Sequence, residues 1–138
     1  MRLANTTDVQ HPVATQAVLV LHRRNETLHI TPQVLIEFRN VATRPKAANG
    51  AGLSIVHAET HAATFETQVP LLPDTPDIYT AWKALVAALG IIGKQVHDAR
   101  LVAVCHAHAT THLTFNVAHF LRMASFGRGV TVVDPATV

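Results

Sequence analysis

Short apolar or β-branched runs alternate along this chain with stretches of helical period, and proline or glycine marks most of the changeovers. That order predicts an α/β fold, a small parallel sheet with helices on its faces. Residues 12–24 read as a first helix, with Val13, Ala17, Val20 and Leu21 at helical spacing. Leu28-His29-Ile30 is a strand candidate. Thr31-Pro32 then opens a helix to about Ala42, with Thr31 as N-cap and Pro32 where its missing N–H costs nothing. Arg44-Pro45 ends that helix. Residues 47–52 read as a loop, 54–69 as a helix capped by Ser54, and Leu71-Leu72 as a brief strand between prolines. Residues 76–89 and 98–109 read as helices, separated by a glycine-bearing break at 90–93. His112-Leu113-Thr114 is a strand candidate, 117–125 a short helix, and 129–133 the clearest strand, stopped by Asp134-Pro135.

Bulk properties narrow the function classes. A length of 138 residues with 49% hydrophobic and 14% charged side chains fits one domain over 1–138 that buries a core, and argues against global disorder. The formal net charge of +2 permits an anionic partner such as RNA. No block of consecutive Lys or Arg supports a purely electrostatic nucleic-acid binder. Cys105 is the single cysteine, which excludes an internal disulfide and fits a reducing cytoplasm. The start is polar within five residues, unlike a signal peptide, and the longest apolar stretch, 84–92, is far too short for a membrane span. The expectation is a soluble cytoplasmic protein with no membrane association.

Two carboxylates sit oddly in these patterns. At about 100° per residue, Val34, Phe38 and Val41 form an apolar stripe with Glu37 beside it. Asp98 likewise shares a face with Leu101, Val102, Cys105 and Ala109. A carboxylate at the margin of a core face costs free energy unless something pairs with it. One reading is a shared site for Mg²⁺ or Mn²⁺, which take hard oxygen ligands and can activate a water beside a scissile phosphate. The other is structural, with Asp98 complementing its helix dipole and Glu37 paired with Arg39, Arg44 or Arg100. The residue pattern by itself leaves both open.

Ten histidines are many for this length. Cys105-His106-Ala107-His108 and His112 invite a zinc reading, but on a helix Cys105, His106 and His108 point in different directions, so zinc is set aside. His97 and His119 flank the acids and could contact phosphate or shuttle protons; solvated or capping roles are the alternative. Lys94, Arg100, Arg122 and Arg128 could meet RNA phosphates or form ordinary charged surface. Trp82 and Phe65 read as core or interface residues, and Cys105 as a small core residue.

Four segments carry a resemblance. Ile30-Thr31-Pro32-Gln33-Val34-Leu35-Ile36-Glu37-Phe38 looks like the second motif of PIN-domain ribonucleases of the VapC toxin kind, and Val96-His97-Asp98-Ala99-Arg100-Leu101-Val102-Ala103 like the third. Leu113-Thr114-Phe115-Asn116-Val117-Ala118-His119-Phe120 is similar to the fourth, and Gly129-Val130-Thr131-Val132-Val133-Asp134-Pro135 to the last strand. The match is ordered and spans roughly residues 1–138. It implies a three-layer α/β/α fold and an Mg²⁺- or Mn²⁺-dependent endoribonuclease from a type II toxin–antitoxin system. Glu37 and Asp98 would hold the metal, Asn116 would assist, and Arg100, His97 and His119 would face the RNA substrate. A cognate antitoxin and a homodimer are the implied protein partners. The family opens with a strand ending in an Asp-Thr-Asn-like motif, and Met1-Arg2-Leu3-Ala4-Asn5 resembles the stretch just after it. The first central strand and its Asp are therefore expected upstream of the sequence as written. Asn116 brings no negative charge to the fourth motif, and His119 stands where many relatives have Asp. The alternative expectation is a catalytically inactive PIN-fold module that binds an antitoxin or dimerises.

Overall fold

The computed structural model describes residues 3–5 and 7–138, so the segment likened to the stretch after the first family motif lies partly outside the described residues. Two compact units divide the chain, Met1–Pro73 and Asp74–Val138. The class is mixed α/β and mostly helical, with six α-helices and one two-stranded parallel sheet among the described residues.

The first unit holds α1 (His11–Arg23), α2 (Pro32–Thr43) and α3 (Ile55–Gln68). Thr31 is extended and its side chain accepts from the Val34 N–H at 3.2 Å, so α2 starts where the Thr-Pro pair predicts. Ser54 caps α3 in the same way through the His57 N–H at 3.2 Å. The buried stripe of α2 differs from the one expected. Leu35, Phe38 and Ala42 face Ala58 and Ala62 of α3, and the Phe38 ring meets Phe65 edge-on with centroids 5.6 Å apart. Val34 is exposed and Val41 only half-buried. Two overlapping apolar arcs were available on α2, and the small residues of α3 select the one that lets the helices approach closely. Between these helices the chain folds back on α2, with Ala51 N–H donating to the Val41 carbonyl and Leu53 N–H to that of Ala42. A β-carbon at Gly50 would collide with the Arg44 carbonyl, which explains the glycine there. The strand candidates at 28–30 and 71–72 meet in a single parallel bridge, Ile30 to Leu71.

The second unit holds α4 (Pro76–Leu89), α5 (Gln95–Ala107), β1 (His112–Leu113), α6 (Val117–Ala124) and β2 (Val132–Val133). Gly90, at φ 59°, ends α4 in the left-handed conformation, where glycine carries no β-carbon penalty. The expected single apolar face of α5 becomes a helix buried on every side across 101–105, because α4 packs on one flank and α6 and β1 on another. This helix also starts three residues earlier than expected, placing Asp98 in its first turn, and ends before Ala109. Leu85, Ile91, Ala99, Leu101, Val102, Phe120 and Met123 form the core, with Trp82, Val130 and Val132 against it.

β1 and β2 pair in parallel, His112 with Val132 and Leu113 with Val133. The strand run expected at 129–133 is cut to two residues. Its first part serves α6 instead: the Val130 N–H donates to the Ala124 carbonyl at 2.7 Å, satisfying a carbonyl at the helix end.

Candidate functional site

Within the second unit, polar groups gather beyond the carboxyl end of β1. Only residues 108–111 join α5 to β1, so helix and strand run in opposite directions. The start of α5 therefore lies at the end of β1 where α6 also begins. In open α/β sheets, ligands bind outside the carboxyl ends of the parallel strands.

Asp98 and His119 meet there. The His119 Nε2–H donates to Asp98 Oδ2 at 2.9 Å, with both side chains about one-third exposed. His119 reaches Asp98 from the first turn of α6, while Asp98 complements the positive end of α5. Asn116 precedes α6, exposed; its backbone N–H donates to Thr114 Oγ1 at 3.2 Å, and its carbonyl accepts from the His119 N–H at 3.1 Å. The turn after β1 is thus held by its own polar groups, which sets where α6 begins and hence where His119 points.

Behind this pair lies His112, whose place in the site the sequence did not reveal. Its ring packs on Phe120 at 4.4 Å between centroids, and Phe120 also meets His119 edge-on at 5.3 Å. His112 Nε2 is buried with no hydrogen-bond partner. Burial pushes its pKa below the usual histidine value, and the negative charge of Asp98 opposes that shift. In the sequence His112 figured only in the zinc pattern, and nothing local marks it as sharing a ring contact with α6.

His97 is exposed on α5. Arg100, two positions beyond Asp98, is bound to Asp74 at 2.8 Å. Arg122 donates to the Leu89 carbonyl. Glu37 belongs to the first unit and is exposed rather than set at the margin of a core face, because the buried stripe runs through Leu35, Phe38 and Ala42. Its carboxylate accepts from Gln33 Nε2 at 2.8 Å, one turn earlier on α2. Two of the arginines considered for it pair elsewhere: Arg39 makes a two-pronged contact with Glu59 at 2.5 and 2.9 Å, and Arg100 binds Asp74. Cys105 is buried and His106 exposed.

Among the described residues, no three His, Cys, Asp or Glu side chains converge as a metal-binding group. The oxygen donors at the α5–α6 junction are the Asp98 carboxylate, bonded to His119 through Oδ2, and the Asn116 amide. Both are hard oxygen ligands open to solvent, the type that suits Mg²⁺ or Mn²⁺ with its retained waters. Comparison with protein-family models, curated proteins and solved structures gave no significant match.

Proposed function

We propose that this chain is a divalent-metal-dependent endoribonuclease of the PIN type, with a three-layer α/β/α arrangement. The observation that carries the reading is a half-exposed Asp98, steered by His119, at the start of α5 and beyond the carboxyl end of β1. A carboxylate there lies where two helices begin, so their positive ends favour the phosphates of an approaching RNA strand.

Asp98 and Asn116 would hold the metal ion, which when bound supplies an activated water and offsets charge on the scissile phosphate. His119 fixes the carboxylate through Oδ2 and so orients Oδ1. The resemblance assigns Glu37 to the same ion, and Glu37→Gln tests that assignment separately. His97 and Arg100 are proposed to face RNA. A cognate antitoxin and a homodimer are the proposed protein partners, in the cytoplasm.

The 138-residue chain is tested on single-stranded RNA with Mg²⁺ or Mn²⁺ and again with EDTA. Metal-dependent cleavage is expected, and Asp98→Asn, which removes a proposed metal ligand, is expected to abolish it. Undiminished cleavage by that variant, or full cleavage in EDTA, overturns the reading. One observation favours a second reading, a non-catalytic dimerisation module: Ile36, Ile55 and Val56 project from α2 and α3 into solvent. A stable dimer that never cleaves RNA would support it.

A further inference from the structure

The second unit contains a recess that the candidate metal site does not use. Thr75, Ile78, Tyr79, Trp82 and Arg100 line it, with a volume of about 320 Å³. That is near the lower bound of small-molecule sites, roughly 300–1,000 Å³. Tyr79 and Trp82, one turn apart on α4, stack with centroids 5.7 Å apart and planes 29° from parallel. Trp82 is fixed from behind: its indole N–H donates to the Val96 carbonyl at 2.8 Å and its body packs on the core. Tyr79 is 64% exposed. Ile78 is fully buried beneath them and gives the recess an apolar floor.

We propose that this recess is a nucleobase-binding subsite for single-stranded RNA; the proposal rests on the ribonuclease reading. A base stacks on a preset aromatic surface with little loss of side-chain freedom, because every base has a π face. The Arg100 guanidinium supplies a planar set of donors at the wall for acceptors on the edge of the base. Asp74 holds Arg100 at 2.8 Å and offsets its charge, so the ligand is the base and not its phosphate. Arg100 stands two residues beyond Asp98 on α5, so the two project to different flanks of the same helix.

The chain contains one tryptophan, so Trp82 emission reports directly on the recess. Adenosine, inorganic phosphate, a short oligoadenylate and an aromatic tripeptide are titrated in EDTA, where metal-dependent cleavage does not interfere. Adenosine and the oligomer are expected to quench Trp82 saturably, while phosphate does not. Tyr79→Ala weakens adenosine binding on the order of tenfold, Tyr79→Phe retains it, and Arg100→Gln weakens it less. Circular dichroism of each variant checks that the fold persists. No saturable quenching by adenosine or the oligomer, unchanged affinity in Tyr79→Ala, or quenching by the tripeptide alone overturns the subsite. Because the titration is read without metal, loss of RNA cleavage bears on the metal site and leaves this result independent.

Discussion

His112 couples the second unit to pH. Its ring is pressed against Phe120 and its Nε2 lacks a partner, so the neutral form is the one the fold accommodates. Burial lowers its folded pKa below the ordinary value of 6.5. As pH falls through 6.5, the unfolded chain takes up a proton that the folded chain refuses, and stability declines until the folded pKa is reached. Chemical denaturation from pH 7.5 down to 5 is expected to show this decline, and His112→Phe is expected to flatten it. An unchanged slope in the variant would assign the effect to another group. At Cys105 burial acts in the opposite direction and pushes the thiol up. Since the thiolate is the nucleophile, native Cys105 is expected to react with a disulfide reagent far more slowly at pH 8 than in urea. Asp98 was legible as a candidate because an acid among apolar residues is conspicuous. Its bond to His119 was not, since 21 positions separate the two and only the turn through Thr114 and Asn116 brings them together.

The starts of α2 and α3 follow caps that can be read locally. Thr31 and Ser54 each accept a backbone N–H, whereas Thr75, also an N-cap, makes no such bond. Thr31→Ala and Ser54→Ala are therefore each expected to cost about 1 kcal/mol in urea unfolding, and Thr75→Ala distinctly less. Equal losses at all three positions would contradict the cap assignments. In the first unit, Phe38→Ala removes the ring that meets Phe65 and is expected to cost about 3–5 kcal/mol. Strands were less legible than helices. A helix closes its own hydrogen bonds, but a strand exists only as far as its partner does, and β2 gives up part of its run to α6.

Over the whole molecule, 11 Lys and Arg stand against 9 Asp and Glu, and several of the cations are already engaged. RNA binding is therefore expected to neutralise few phosphates, giving a log–log salt slope shallower than about −3. A much steeper slope would mean that an extended basic surface carries the affinity. No helix among the described residues is long and apolar enough to cross a membrane. The sequence by itself determined the mixed α/β class, the order of the six helices and the starts of α2 and α3, because periodicity, prolines and capping side chains act within a few residues. Tertiary structure alone decided which arc of α2 is buried, that Glu37 faces solvent, that His119 bonds Asp98, and that His119 and His112 both meet Phe120. Those outcomes depend on which surface a packed neighbour covers, and covering is a property of contacts between segments distant in the chain.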